Sequence, residues 1–351
     1  MSRLVSVAII VGSLILALLV VSLGLVLLGQ QPDTILLTMF SGAFGSFYGL
    51  SETLLRTVPV LLCALAAAIP AESGQINIGG EGQLHLGAIG AVLVTGPLMG
   101  RSAPLVIILM ITAAIFAGAV WAAIPATLRA LLGVNEALVS LFLNYVAIYL
   151  LQYLVQGPLR DPASQGWPMG SPLDKDLVLS RLGDTRLHLG IFVAILLALF
   201  SAAVIRLTRR GTELRVVGLN AAASATVGIP VRGYLFASLA LGGAVAGLAG
   251  YYEIAAVQHR LRPDLSLGFG YSGFLVAWIC RRQLLLIIPV SILVAGLIVG
   301  AENLQITSGL PAATGDVAQG FLLLFVLLSQ PLLAWLKRRR AIRLVMESEL
   351  S

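Results

Sequence analysis

Residues 70–83 (PAESGQINIGGEGQ) set four glycines, two carboxylates and several amides between apolar runs. Polar side chains are expensive at membrane depth, and irregular backbone is tolerated there only where it lines a cavity or is packed in protein. A carboxylate in this setting can couple a proton, bind a solute or cap a half-helix. We read Glu81 as capping or lining. His85 follows Glu81 by four residues and shares its helix face; a proton relay is the second chemistry open to the pair, and a packed or interfacial histidine the simpler one. His188 and His259 fall near expected external ends of apolar runs and read as solvent-facing.

A second glycine cluster, Gly268, Gly270 and Gly273, breaks the start of another apolar run. Glycines at such spacing also serve close helix packing, and both readings stay open there. The stretch 206–231 (RLTRRGTELRVVGLNAAASATVGIPV) is different, being long, polar and strongly basic. Asn220 suits an N-cap, 221–227 are mostly good helix formers, Gly228 can close a helix in the left-handed conformation, and Pro230 prevents its resumption. A capped helix of about two turns is marginal alone in water, so it leans on something else.

The chain carries no motor of its own. It has no Gly-x-x-x-x-Gly-Lys-Ser/Thr loop, and neither of its lysines, Lys175 and Lys337, follows a glycine. Embedded acids are few, which weakens ion coupling. Cys63 and Cys280 lie far from any metal-ligand spacing, so neither a metal site nor a disulfide framework is expected. A capped helix on a membrane body without a motor suggests a docking knob for a separate one.

The elements that must carry these groups are apolar helices. Of 351 residues, 58% are hydrophobic and 11% charged, with mean hydropathy +0.98, where a soluble domain carries about 25% charged residues. Apolar runs of membrane-spanning length recur along the chain, which predicts an all-α integral membrane protein. The alternating segments of a membrane barrel are absent. The net charge of +6 reflects arginines at the ends of apolar runs, where topology explains them, and not a nucleic-acid surface.

About ten transmembrane helices are expected, at 4–28, 53–69, 84–99, 105–128, 137–155, 188–205, 234–252, 267–279, 284–300 and 317–336. Residues 34–50 read as an amphipathic surface helix, 133–136 as a turn leading into a helix, and 157–187 as an ordered external loop. With the N-terminus inside, both termini are cytoplasmic, and so is the stretch 206–231. Fourteen of the 22 basic residues then fall inside; the other eight are Arg56, Arg101, Arg160, Lys175, Arg181, Arg186, Arg260 and Arg262. Without the first and sixth spans, two inverted four-helix repeats remain, each broken by glycines in its second span, which is the sequence pointer to a transport path. The domain expectation is a polytopic transmembrane body over 1–336 and a basic cytoplasmic tail over 337–351.

The order and spacing of several motifs resemble a known family. They are GQINIGGEGQ at 74–83, GVNE at 133–136, residues 211–230, and GAENLQ at 300–305 followed by 309–328. Together these resemble the permease subunits of bacterial ABC importers of the branched-chain amino acid and simple-sugar superfamily, in its nucleoside-type branch. The resemblance implies a non-catalytic subunit of the bacterial inner membrane, paired with a second permease as a heterodimer. It also implies an ATP-binding-cassette ATPase that uses ATP and Mg²⁺, and an extracytoplasmic substrate-binding protein. The chain itself would hold no cofactor. Asn220, Ala221, Ala222, Ala225 and Gly228 would form the coupling helix on the ATPase, and Asn77, Glu81, Gln83, Ser272 and Asn303 would line the path. The cargo expected is a nucleoside, with simple sugars such as ribose or galactose next. An ion-coupled secondary transporter is the rival from another class.

Overall fold

The computed structural model describes residues 31–280 and 283–308, with individual positions between 19 and 29 and between 317 and 324. The expected first and tenth spans and the basic tail lie outside the continuously described residues. The chain divides into two compact units, Met1–Thr53 with Gly296–Ser351, and Leu54–Ala295.

In the first unit, helix α1 (Pro32–Phe44) starts on a proline, whose fixed φ suits a first turn. It buries Ile35, Met39 and Ala43, one residue in four, along a single face. Ile35 and Met39 cluster with Ala301 and Leu304 of the last described helix, α11 (Ile287–Ser308). A Cβ at Gly300 would stand 2.7 Å from the Met39 carbonyl oxygen, so the glycine permits this close approach. The 34–50 expectation thus covers α1 and the start of the next helix, α2 (Phe47–Glu72).

The second unit holds the remaining helices: α3 (Gly80–Leu93), α4 (Ala103–Leu132), α5 (Glu136–Gln156), α6 (Gly190–Leu207), α7 (Arg209–Leu219), α8 (Ala221–Thr226), α9 (Val231–Tyr252) and α10 (Phe269–Cys280). A π-type turn, Glu253–Gln258, continues α9. Among the described residues, six helices are long and apolar enough to cross a membrane, and α10 is a shorter apolar helix. Each of the eight expected spans within the described residues contains helix, but 84–99 is α-helical only to Leu93, and neither it nor 267–279 reaches spanning length.

Helices α3, α4 and α9 pack through small residues. A Cβ at Gly118 of α4 would overlap the Gly243 carbonyl oxygen of α9, and one at Gly90 of α3 would stand 2.8 Å from the Ala117 Cβ of α4. Backbones this close gain dispersion contacts that bulkier residues would prevent, the usual basis of helix association in lipid. The α2 span is mostly buried, while α4, α5 and α6 leave Phe116, Phe142, Tyr149, Phe192 and Phe200 exposed. An apolar exterior of this kind suits a hydrocarbon solvent.

The loop between α5 and α6 is ordered, as expected. Antiparallel bridges pair Arg160 with Gly170 and Arg181 with His188. The loop also runs along the segment after α9, where the amides of Gly170, Leu173 and Leu179 donate to the carbonyls of Leu261, His259 and Ala255. His188 departs from expectation. It is buried, its ring stacks on Tyr252 at 5.3 Å, and its Nδ1 accepts the Gly190 amide at 3.0 Å. The loop folds back over the helix end, so a residue near the span boundary is covered by chain instead of water. His259 is half-buried in the left-handed conformation that caps the π-type turn.

Candidate functional site

The chain leaves helical geometry at Gly74, whose φ of +80° only glycine adopts readily. Residues 75–78 follow without regular structure, and α3 resumes at Gly80. Each unwound amide then needs a partner from elsewhere. One face of α5 supplies three. Glu136 Oε1 accepts the Ile76 amide at 3.2 Å, Ser140 Oγ accepts the Ile78 amide at 3.2 Å, and Asn144 Oδ1 accepts the Gly82 amide at 2.8 Å. Asn144 Nδ2 also donates to the Ile78 carbonyl at 2.9 Å. Residues 136, 140 and 144 are spaced by four and form one helical stripe.

The amides of the break pair with each other. Asn77 Nδ2 donates to Gln83 Oε1 at 3.1 Å and to the Ala66 carbonyl at 2.9 Å, while Asn77 Oδ1 accepts from Gln83 Nε2 and the Gly79 amide, both at 3.0 Å. Both residues are buried. In this conformation their side chains satisfy the break itself.

Glu81, also buried, reaches across to the second glycine cluster. Its Oε2 accepts the Gly270 amide at 2.7 Å, at the first turn of α10. A Cβ on Gly270 would overlap the Glu81 backbone nitrogen, so only glycine lets the two helix starts come this close. The other glycines of that cluster have separate reasons. Gly268 takes φ +78° in the turn before α10, and a Cβ at Gly273 would stand 2.6 Å from the Ala64 nitrogen of α2. Packing is therefore the role of Gly273 and close approach to Glu81 that of Gly270. Ser272 is buried in the first turns of α10. His85 places Nδ1 2.7 Å from the Glu81 backbone carbonyl.

Asn303 belongs to the other unit. There its side chain fills the space a Cβ at Gly42 would occupy.

The 206–231 stretch contains two helices where one was expected. Thr208 caps α7, its Oγ1 accepting the Gly211 amide at 3.1 Å. Arg209 to Leu219 then form a basic helix that a reading for polarity alone takes as loop. Asn220 caps α8 as expected, with Oδ1 accepting the Ala223 amide at 3.0 Å. Gly228 has φ +81°, and Pro230 follows. Ala221, Ala222 and Ala225 are exposed, and Leu219 and Val227 beside them are 78% and 72% exposed. The knob thus presents a small apolar surface. At its base, Glu213 accepts from Arg209 Nε at 2.7 Å and from the Tyr234 hydroxyl. These two bonds, Tyr234 first, hold the Glu213 carboxyl below the usual carboxylate range.

A multi-pass helical membrane protein, with two helix starts meeting at a glycine-rich break and an exposed capped knob, has the organisation of a transport permease. Residues 49–327 match the family described as branched-chain amino acid transport system, permease component, and the chain belongs to that family. It is 35% identical to the glucose ABC transporter permease protein TsgB13 of Haloferax volcanii over 90% of this chain and 85% of that one. It is 34% identical to the guanosine ABC transporter permease protein NupP of Bacillus subtilis, over 82% and 83% of the two chains. The nucleoside ABC transporter permease protein NupB of Lactococcus lactis subsp. cremoris is 28% identical over 79% and 76%.

Proposed function

We propose that this chain is the membrane subunit of an ATP-binding-cassette importer and forms the translocation path for nucleosides. An extracytoplasmic binding protein delivers the solute. A partner ATPase, using ATP and Mg²⁺, docks on the knob carrying Asn220, Ala221, Ala222, Ala225 and Gly228. A second permease completes the path in the inner membrane, with both termini of this chain in the cytoplasm. The observation that carries this reading is the exposed knob, a two-turn helix capped at both ends that presents alanines, with Leu219 and Val227 beside them, to no partner among the described residues. Burying such a surface on a separate subunit is what would fix a helix this short.

The path runs past the glycine-rich breaks. Asn77, Glu81, Gln83 and Ser272 supply the amide, carboxylate and hydroxyl groups that meet a polar solute once the breaks separate, and Asn303 is proposed as a lining residue within its own unit. Nucleoside cargo is supported by the guanosine permease of Bacillus and the nucleoside permease of Lactococcus among its relatives. The 35% identity to a glucose permease favours sugars as the second reading.

Affinity purification from the native membrane, with identification of whatever stays bound, tests the reading. A P-loop ATPase and a second permease should co-purify. A chain that emerges alone and moves solute in liposomes under an ion gradient would replace it with a secondary transporter.

A further inference from the structure

The knob is held to the break from both of its flanks. Upstream, a Cβ at Gly218, next to last in α7, would overlap the Glu72 carbonyl oxygen and stand 2.9 Å from the Gly74 nitrogen. Conversely, a Cβ at Gly74 would stand 3.2 Å from the Gly218 carbonyl oxygen. The end of α7 therefore rests backbone to backbone on the turn where α2 unwinds. Downstream, Ser238 of α9 bonds the same turn, with Oγ 2.9 Å from Ser73 Oγ and donating to Gln75 Oε1 at 2.8 Å. Ser73, Gln75 and Ser238 are all buried. The flanks are also tied to each other by the Tyr234 hydroxyl on Glu213.

Resting on the docking role of the knob, we infer that the Ser73–Gln75 turn is the relay through which movement of the knob reaches the break, with Gly218 and Ser238 as positioning residues. The geometry leaves little slack. Gly218 touches main chain, which cannot yield as a flexible side chain can. The turn continues directly into 75–79, whose far end carries Glu81 on the Gly270 amide. Displacing α7 and α9 together therefore pulls the start of the unwound segment away from, or toward, the α5 stripe that braces it. Gln75 Nε2 is buried without a hydrogen-bond partner among the described residues, which leaves a donor free for a second arrangement of the turn.

The test uses the full complex with its co-purifying ATPase. Cys63 and Cys280 are replaced by alanine, and Ile76→Cys reports on the break through maleimide labelling. ATP with vanadate should change the labelling rate at residue 76 in the parent. Ser238→Ala removes both hydrogen bonds at small steric effect, and Gly218→Ala removes the close contact. In both, the ATPase should still co-purify and hydrolyse ATP while the ATP-dependent labelling change falls at least fivefold. A purely structural role would instead lower ATPase recovery and hydrolysis together, with the labelling response of assembled complexes intact, and would overturn the relay. An unaltered labelling response in Ser238→Ala and Gly218→Ala would do the same. A parent complex that holds its ATPase but shows no response at residue 76 refutes the relay and leaves the docking role standing. A parent that holds no ATPase removes the docking role, and the relay with it.

Discussion

Asn144→Leu isolates the contribution of the α5 stripe. Asn144 is fully buried and is the one stripe residue that bonds the break twice, accepting from Gly82 and donating to the Ile78 carbonyl. Leucine is close in volume, so little cavity opens, and the effect is that of two backbone groups left unpaired. Each such group costs about 1–3 kcal/mol, about 2–6 kcal/mol together. Against a total stability of about 5–15 kcal/mol that is severe. A change of 1 kcal/mol moves the midpoint by about 2–4 °C in domains of 150–250 residues and by less in longer chains, so a fall of roughly 4–15 °C is expected. Ser140→Ala removes one bond, to the Ile78 amide, and should give about half the shift. Thermal unfolding in detergent, followed by size-exclusion chromatography of the surviving monodisperse fraction, reads both. An Asn144→Leu midpoint equal to the parent's would refute the claim that side chains of α5 hold the unwound segment.

Four further outcomes are expected. Ala222→Arg with Ala225→Arg should insert normally but lose the ATPase on purification; normal recovery of the motor would remove the knob from the interface. Glu81→Gln should lower uptake severalfold without unfolding the protein, and parental uptake kinetics would take Glu81 out of the path. Gly118→Leu should prevent α4 from meeting α9 and reduce the folded yield sharply, since its Cβ alone overlaps the Gly243 carbonyl; overpacking costs about 1–3 kcal/mol or more. Burial pushes His188 down from 6.5 to about 4, so the unfolded chain binds a proton first as pH falls. Stability should then drop between pH 6.5 and 4, by up to about 3 kcal/mol. His188→Gln should flatten the melting temperature over that window; an unchanged slope would locate the pH dependence elsewhere.

The apolar helices were legible because a span needs only length and apolar composition, although their ends differ from expectation by up to eight residues, as in Ile287–Ser308 against 284–300. The caps of α8 were legible too, since Asn220 and Gly228 act on neighbouring backbone. Other features were not. Arg209–Leu219 has its helical signal masked by polarity, although Thr208 before Gly211 is an N-cap pattern. The partners of the break, Glu136, Ser140 and Asn144, were hidden because they lie about 60 residues away in the chain. Their spacing by four within an apolar span was the available signal. Glu81 stands out in the sequence as a carboxylate among glycines, but its partner is the main-chain amide of Gly270, which carries no side-chain signature. His188 failed for a related reason, its cover coming from Tyr252 across the fold.

As proposed, this chain is a path without a motor, worked by a separate ATPase. Reconstituting the chain with its co-purifying subunits and binding protein, and following radiolabelled guanosine uptake, tests it most directly. Uptake should depend on ATP hydrolysis and survive collapse of proton and sodium gradients. Accumulation by this chain alone, driven by an ion gradient without ATP, would contradict it.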